Sequence, residues 1–300
     1  MTVYEKGASW EGARVIALGF FDGVHIGHRK ILDTARAEAT RLGIPLAAFT
    51  FSLDSGIKGD KRIYTQEERL FLLEGCGVDE VIVASFRDMK NLSGEVFVKE
   101  YLVKNYGCAV AVVGEDFRFG SGAACGTEEL SALMAAAGRC SITVSDVTIR
   151  DVRVSTTEIK EFLSSGNIEG ANEALGEPYI IISTVTHGRG VGKTLGFPTL
   201  NCDIGDTRPL RHGVYASSVT VKGKEYAAVT NIGICPTFDL KDAHAETFII
   251  DFSGDIYDER VIIRLHAFLR DEIRFDSEKS LCDRINTDIK IAKEFFNNGR

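Results

Sequence analysis

The sequence predicts an α/β domain with a mostly parallel sheet, followed by a small antiparallel β-barrel with a terminal helix. In the first half, short apolar strands alternate with helical patterns, as in sheets covered by helices on both faces. In the second half, β-rich runs follow one another without crossover helices, which favours an antiparallel sheet that closes on itself. The length of 300 residues is enough for two domains.

The first half contains five short apolar runs that we interpret as strands. They cover residues 15–18, 44–51, 81–84, 109–113 and 142–144. Helical patterns between and after them cover residues 31–42, 65–76, 93–107 and 128–137. The first helix has one apolar face, formed by Ile31, Leu32, Ala35, Ala39 and Leu42. Gly43 is well placed to end it, because glycine readily adopts the left-handed backbone of a helix C-cap.

The character of the chain changes after a predicted connecting helix over residues 168–175, which Gly176 would end. We therefore expect domains at residues 1–176 and 177–300. Predicted strands of the second domain cover residues 179–185, 214–221, 226–232, 246–252 and 261–265. Lys222-Gly223-Lys224 is a candidate hairpin turn. An amphipathic helix over residues 277–296 is expected to end the chain.

Composition excludes several classes of function. A net charge of −8 argues against a nucleic-acid-binding surface, and the apolar runs are of strand length, too short to span a membrane. The first residues show no secretory signal, and the seven cysteines lack the spacing of a zinc site. We expect a cytoplasmic protein with small-molecule substrates, no nucleic-acid or membrane partner, and a monomeric or weakly homo-oligomeric state.

The most specific motif of the first half is Gly-Phe-Phe-Asp-Gly-Val-His-Ile-Gly-His, at residues 19–28. It is the turn of a strand–loop–helix unit, where α/β proteins place ligands. Its glycines let the backbone approach a phosphate, and the helix start offers unpaired N–H groups. His25 and His28 could meet the charge that builds on an α-phosphate during nucleotidyl transfer. Two such histidines could equally be surface residues or a weak metal pair.

Two further loops carry polar groups in the same half. Residues 114–120, Gly-Glu-Asp-Phe-Arg-Phe-Gly, follow the fourth strand directly, and alone they could be a plain turn. Residues 154–160, Val-Ser-Thr-Thr-Glu-Ile-Lys, open a helix. Their hydroxyl groups could simply cap that helix, or they could bind a phosphate together with Lys160.

The strongest motif of the second half is Gly-Arg-Gly-Val-Gly-Lys-Thr-Leu-Gly-Phe-Pro-Thr-Leu-Asn, at residues 188–201. It is a glycine-rich basic loop followed by a rigid Phe-Pro turn. Thr199 and Asn201 lie two residues apart, so an extended segment places their oxygens on one side. Neutral oxygens of this kind, with waters and phosphates, suit Mg²⁺ in kinases. The run lacks the spacing of a Walker A motif.

Together these strings resemble the signatures of the bacterial bifunctional riboflavin kinase/FAD synthetase family, and the resemblance covers about residues 14–296. Further similar strings are Gly213-Val214-Tyr215, residues 231–238, Glu246 with Asp251-Phe252, and residues 269–272. The resemblance implies a Rossmann-like nucleotidylyltransferase domain and a riboflavin kinase-like barrel. It also implies the reactions: phosphorylation of riboflavin to FMN, then adenylylation of FMN to FAD, with ATP and Mg²⁺.

The resemblance also implies roles for single residues. Glu246 would be the general base of the kinase, although a lone Glu in a strand most often faces solvent. His25 and His28 would act on the α-phosphate, and Thr199 and Asn201 would hold the metal. The implied ATP or phosphate contacts are Gly19, Phe20, Asp22, Gly23, Gly27, Ser155, Thr156, Thr157, Lys160, Gly188, Gly192 and Lys193. The implied flavin contacts are Asp116, Phe117, Arg118, Phe119, Asn231 and Arg270.

The chain departs from the family pattern mainly in the first domain. Residues 51–55 read Phe-Ser-Leu-Asp-Ser where the family has Phe-x-Pro-His-Pro. Ala123 and Ala124 stand where a basic residue is usual, and Lys160 replaces an arginine. We therefore expect robust riboflavin kinase activity and a weakened adenylyl transfer. Two alternatives stay open: a riboflavin kinase with an inactive first domain, and a flavin sensor without turnover.

Overall fold

The computed structural model describes residues 1–4, 12–53, 61–187, 192, 195–205, 208–234 and 243–298. The chain forms two compact units. The first contains Met1–Asp60 and Tyr64–Thr156, and the second contains Lys61–Ile63 and Thr157–Arg300. The boundary predicted after Gly176 lies beyond two helices that this division gives to the second unit. The second of them, Ile168–Leu175, packs on two strands of the barrel, a long-range preference that local composition does not reveal.

A six-stranded parallel sheet forms the first unit, which confirms the predicted α/β class. The strands are β1 (Thr2–Tyr4), β2 (Arg14–Leu18), β3 (Leu46–Phe51), β4 (Glu80–Ala84), β5 (Cys108–Gly114) and β6 (Cys140–Val144). Their order is β1-β4-β3-β2-β5-β6, with every neighbouring pair parallel. Chain order reverses direction beside β2, the kind of position where such sheets bind ligands at the carboxyl ends of their strands. A short hairpin, β7 (Thr148–Ile149) and β8 (Val152–Arg153), follows.

Helices of the first unit follow the predicted pattern with local differences. They are α1 (Ile26–Leu42), α2 (Gln66–Gly75), α3 (Phe86–Met89), α4 (Gly94–Val96) and α5 (Thr127–Ala136). A π-helix over Phe97–Asn105 continues α4, and a 3₁₀ turn covers Ser121–Ala123. Gly43 ends α1 with a left-handed backbone, as predicted. Leu42, the last residue of α1 and of its predicted apolar face, is 39% exposed.

The second unit is a curled antiparallel sheet with helices, which confirms the predicted barrel. Its strands are β9 (Tyr179–Thr184), β10 (Thr199–Asp203), β11 (Gly213–Val221), β12 (Lys224–Ile234), β13 (Ala243–Ile249) and β14 (Arg260–Arg270). Their order is β10-β13-β12-β11-β14-β9. The two edges meet: the Thr186 N–H donates to the Asn201 carbonyl at 2.8 Å, and the Ser183 hydroxyl donates to the Asp203 carbonyl at 3.0 Å.

In the described part of the chain, three helices accompany the barrel. They are α6 (Thr156–Ser165), which starts at the division between the units, α7 (Ile168–Leu175) and the terminal α8 (Glu278–Asn298). Helix α8 packs on the outer face of the sheet, where Ala292 joins an apolar cluster with Val214 and Val229. The barrel interior also contains buried hydroxyls. Thr230 Oγ1 lies 2.7 Å from Ser217 Oγ and 2.8 Å from Thr247 Oγ1.

Candidate functional site

The loop between β2 and α1 adopts a constrained conformation. Phe21 and Val24 have left-handed backbones, with φ of 53° and 43°, and both side chains are fully buried. A left-handed conformation is unfavourable for bulky and β-branched residues, so packing must hold the loop in place. Gly19 and Gly27 allow close approach of side chains: a Cβ there would lie 3.0 Å from the Phe21 ring and 3.1 Å from the His25 ring, respectively. From the sequence, unusual backbone conformations were expected only at the glycines, and the left-handed backbones of Phe21 and Val24 were not expected.

His25 is the N-cap of α1. Its Nδ1 accepts a hydrogen bond from the His28 backbone N–H at 3.3 Å, so the proton of the neutral ring is on Nε2. The two imidazole rings stack with centroids 3.7 Å apart, and Phe21 contacts His28 edge-on at 5.2 Å. His28 Nδ1 is buried and has no hydrogen-bond partner among the described residues. The two histidine rings therefore lie together at the start of α1.

Burial keeps both histidines uncharged at neutral pH. Desolvation lowers the pKa of His25 to about 4, with Asp116 opposing this shift and Arg153 adding to it. Desolvation, the neighbouring His25 and the cationic Arg69 lower the pKa of His28 well below its ordinary value. Neutral imidazoles still carry one N–H donor each, so the pair can donate hydrogen bonds without carrying charge.

A cavity of about 690 Å³ opens at the carboxyl ends of the strands in the first unit. The predicted site residues that line it are Gly19, Phe20, His28, Asp116, Phe117, Arg118, Phe119 and Thr156. The predicted residues Asp22, Gly23, His25, Gly27 and Ser155 are not part of this lining. Asp22 and His25 are buried. His28 is thus the histidine that meets the cavity, and His25 supports it.

Aromatic rings follow one another along this cavity. Phe51 contacts Phe86 at 5.4 Å and Phe49 at 5.5 Å between ring centroids. The series continues from Phe49 to Phe97 at 5.8 Å, and from Phe97 to Phe119 at 5.6 Å. A largely aromatic wall of this size suits flat ring systems. Phe86 and Met89, on the short helix α3, also line the cavity and were not singled out from the sequence.

Asp116 has an ionic partner that the sequence did not predict. Arg153, at the end of β8, contacts Asp116 Oδ2 at 2.6 Å and Asp146 Oδ2 at 2.7 Å. The arginine therefore bridges the loop after β5 to the loop after β6. Because Asp116 lines the cavity, Arg153 fixes one polar group of its wall.

The departures from the family pattern lie partly within the described residues. Ala123 lines the cavity, whereas Asp54 and Ser55 fall outside the described residues. Thr156 belongs to the first unit and lines the cavity, while Thr157 and Lys160 belong to the second unit. The roles of Thr157 and Lys160 stay predictions.

Strand register assembles the second set of predicted residues. Asn201 on β10 and Asn231 on β12 are both register partners of Glu246 on the intervening strand β13. Partners in a sheet present their side chains on the same face, so the three form a row with the exposed Glu246 in the middle. Thr199 lies two residues before Asn201 on that face. Because β10 is extended, the side chains of Thr199 and Asn201 lie on one side of the strand, which is the condition for the two to share a metal ion.

Two members of this row, Glu246 and Asn231, line a cavity of about 330 Å³, whereas Asn201 is not part of its lining. The predicted residues that line it are Gly192, Thr199, Asn231, Glu246 and Arg270. Asp288, Leu281 and Ile285 of α8 form part of the opposite wall. A Cβ on Gly192 would collide with the Phe197 carbonyl, which explains the need for glycine there. Gly188 and Lys193 fall outside the described residues.

Arg270 also has a partner that sequence analysis missed. Its Nε and Nη2 donate to the carboxylate of Asp288 at 3.0 and 2.8 Å, and Asp288 is 1% exposed. Arg284 contacts the same carboxylate at 3.2 Å. The ion pair anchors α8 to β14 beside the cavity. The flavin contact proposed for Arg270 stays a prediction.

The described residues contain neither a membrane-spanning helix nor a cluster of acidic, histidine or cysteine metal ligands. None of their helices combines the length and apolar character needed to cross a membrane. Within the same residues, no cluster of three or more His, Cys, Asp or Glu side chains could hold a metal ion. The predicted metal pair of Thr199 and Asn201 is of a different kind, because it relies on neutral oxygens and on phosphate.

Comparisons with known proteins give matches for both units. A family model described as FAD synthetase matches residues 8–158, and one described as riboflavin kinase matches residues 175–296. A bifunctional riboflavin kinase/FMN adenylyltransferase from Haemophilus influenzae is 33% identical over 94% of both chains. The protein of that name from Bacillus subtilis is 33% identical over 95% of this chain and 93% of its own.

A solved structure is similar over nearly the whole length. It is that of a protein called a macrolide-efflux protein, from Streptococcus pneumoniae, with a TM-score of 0.86 and 28% identity. The match covers 98% of this chain and 99% of that one. The efflux name is that of the other protein, whereas both family models matched by this chain describe flavin enzymes.

Proposed function

The chain belongs to the bifunctional riboflavin kinase/FMN adenylyltransferase family, and we propose how its described residues carry out the two reactions of that family. It is a transferase that phosphorylates riboflavin to FMN with ATP. It then transfers AMP from a second ATP to FMN, giving FAD and pyrophosphate. The observation that supports this best is that each unit has a cavity lined by several of the residues predicted for one reaction.

The kinase reaction belongs to the cavity of the second unit. The riboflavin 5′-hydroxyl becomes an effective nucleophile only as its proton leaves, so the reaction benefits from a positioned base. Glu246 accepts that proton while the hydroxyl oxygen attacks the γ-phosphorus and ADP departs. Asn201 and Asn231 flank Glu246 in the strand register, and the Asn231 amide donates to the Glu272 carboxylate at 3.3 Å. Gly188, Gly192 and Lys193 are the proposed ATP contacts, and Arg270 and Asn231 the proposed flavin contacts.

Thr199, which lines this cavity, and Asn201, two residues along the same strand, fit a magnesium ion. Thr199 and Asn201 present neutral oxygens on the same face as the carboxylate of Glu246. Such oxygens, completed by waters and phosphate, are the ligands Mg²⁺ takes in kinases. Thr199 and Asn201 would hold the ion, which would supply charge neutralisation at the phosphates.

The adenylyl reaction belongs to the cavity of the first unit. The phosphate of FMN is largely ionised at neutral pH, so it attacks the α-phosphorus without a base. The chain must instead stabilise the charge that develops on the α-phosphate oxygens. His28 meets the cavity as a neutral ring with an N–H donor, and His25 fixes its backbone through the helix cap. Ser155, Thr156, Thr157 and Lys160, with the loop of residues 19–27, are the proposed phosphate contacts.

Flavin binding in the first unit is proposed for the loop after β5. Asp116, Phe117, Arg118 and Phe119 line the cavity together with the other aromatic side chains described above. Phe117 and Phe119 stack with centroids 5.7 Å apart. The protein acts in the cytoplasm as a monomer or weak homo-oligomer, without nucleic-acid or membrane partners. Its net charge of −8 supports the absence of a nucleic-acid partner.

The test is to incubate pure protein with riboflavin, ATP and Mg²⁺ and to separate the flavins over time. We expect FMN to appear first and FAD to follow. A parallel reaction that starts from FMN measures the second step alone, and one without ATP is the control. FMN as the final product would favour the monofunctional alternative. Tight FMN binding without any product would favour the flavin sensor.

A further inference from the structure

The largest fully buried side chain in the described part of the chain is a charged one, Arg69, with no exposed surface. It lies in the first turn of α2, whose start is fixed by a capping box between Thr65 and Glu68. Burying a guanidinium is unfavourable unless hydrogen bonds compensate for the lost water. The contacts of Arg69 therefore indicate what this charge does in the fold.

Arg69 reaches the ends of two neighbouring strands. Its Nη1 donates to the Phe20 carbonyl at 3.1 Å, and its Nη2 donates to the Phe51 carbonyl at 2.8 Å. Gln66 Oε1 accepts from the same Nη2 at 3.0 Å and orients the group. The guanidinium carbon also lies 5.2 Å from the centre of the Phe20 ring. A planar fork of donors can make this bridge, whereas a single ammonium cannot reproduce it.

The bridge begins where backbone pairing stops. The last register pair of β2 and β3 is Leu18 with Phe49, and the Gly19 N–H still donates to the Phe49 carbonyl at 3.2 Å. Beyond that point side chains take over, because the Thr50 hydroxyl donates to the Phe20 carbonyl at 2.8 Å beside Arg69. Two donors thus hold the first turn of the loop that leads to the histidines.

We propose that Arg69 is a positioning residue for adenylyl transfer, tying the phosphate loop after β2 to the end of β3 across the mouth of the nucleotide cavity. Both tied residues, Phe20 and Phe51, line that cavity. The role rests on the proposed function of the first unit. Arg69 itself is not part of the cavity lining.

The charge of Arg69 gives this role a second signature. The pKa of His28 is lowered by its own burial, by the stacked His25 and by Arg69, whose positive charge disfavours protonation of the ring. Asp116 and Arg153 act on the adjacent His25. Removing the charge of Arg69 should raise the pKa of His28, whereas removing only the fork should leave it unchanged.

The test compares Arg69→Lys, which keeps the charge, with Arg69→Met, which removes it. Arg41→Met, an exposed arginine of α1, is the matched control. We expect both Arg69 variants to lower kcat for FAD formation from FMN by about 10²-fold, the effect of misplacing reacting groups by about 1 Å. Riboflavin phosphorylation should remain at the wild-type rate. NMR titration should show a raised His28 pKa in Arg69→Met and an unchanged one in Arg69→Lys.

Thr50→Val tests the same bridge without touching a buried charge, in case the Arg69 variants do not fold. It removes the second donor to the Phe20 carbonyl, and we expect about a tenfold loss of FAD formation in a folded protein. Folded variants at both positions that make FAD at the wild-type rate would overturn the role of Arg69 but leave the proposed function of the first unit in place. A folded wild-type protein that makes no FAD from FMN and ATP would remove the proposed function, and this role with it.

Discussion

The cavity of the first unit is lined by the buried, uncharged imidazole of His28, stacked on His25, whereas the cavity of the second unit is lined by the exposed carboxylate of Glu246 and the amide of Asn231. The difference follows from the two substrates that accept the transferred group. FMN offers a phosphate that is already ionised, so its reaction needs donors for developing charge and no base. Riboflavin offers a neutral hydroxyl, so its reaction needs a group to receive a proton. Each set of side chains suits only one of these tasks.

Glu246→Gln tests this contrast with the largest expected effect. The amide cannot accept the hydroxyl proton, so FMN formation should fall by about 10²–10⁴-fold. FAD formation from supplied FMN should be unchanged. Steady-state rates of both reactions provide the measurement, and Glu278→Gln, the same change at an exposed position of α8, is the control. A folded variant with a near wild-type kinase rate would contradict the assignment of the base.

His28→Ala is the reciprocal change in the first unit. Loss of a preorganised donor at a developing oxyanion should lower FAD formation by about 10²–10³-fold. Riboflavin phosphorylation in the same variant is the internal control and should be retained. If a folded His28→Ala protein loses both activities, the two-site assignment is wrong.

Acid should weaken the first unit through His25. Its pKa is about 4 in the folded protein and 6.5 in the unfolded chain, so the unfolded state binds more protons between these values. Stability is therefore full above pH 6.5 and falls as the pH drops towards 4, by at most about 3 kcal/mol. Urea unfolding at pH 7.5 and 5.0 measures this loss. A His25→Gln protein should lose less between the two pH values, and an equal loss would contradict this origin.

The smallest expected effect concerns the relative rates of the two reactions. The departures at residues 52–55, Ala123, Ala124 and Lys160 should make adenylylation slower than phosphorylation, by about tenfold if one strong phosphate contact of about 1.4 kcal/mol is missing. Steady-state FAD formation from FMN is compared with FMN formation from riboflavin under the same conditions. Lys160→Arg, which restores a two-pronged donor, should narrow the gap. Equal rates in the wild-type protein would show that the departures are harmless.

Local sequence patterns were sufficient for the elements whose signal is local. Buried strands such as β5 are continuous apolar runs, and α2 begins at a capping box that Thr65 and Glu68 specify directly. Strand β1 was missed because its three residues are held by pairing with β4, far along the chain. Strand β10 was read only as a segment after a turn, because its polar composition resembles a loop until β13 pairs with it.

Site residues that belong to a sequence motif could be predicted. Partners that only tertiary packing brings to the site could not. Residues His25 and His28 lie together because three positions in sequence fix their spacing on α1. The partner of Arg270 is Asp288, an acidic residue on the otherwise apolar face of α8. Its role becomes visible only from its buried environment in the structure. Charged residues at expected apolar positions, such as Asp288 and Arg69, are the signal that could have identified both contacts.

The hydroxyl chain inside the barrel also fixes the alignment of the kinase residues. Thr230 and Thr247 are register partners facing inward, and the next pair along the same two strands is Asn231 with Glu246, facing outward. A slip of one residue between β12 and β13 would leave the buried hydroxyls without their partners and would also offset the amide from the carboxylate. The interior therefore works as a template: the hydrogen bonds that make one alignment favourable inside the barrel set the spacing of the reactive groups on its surface.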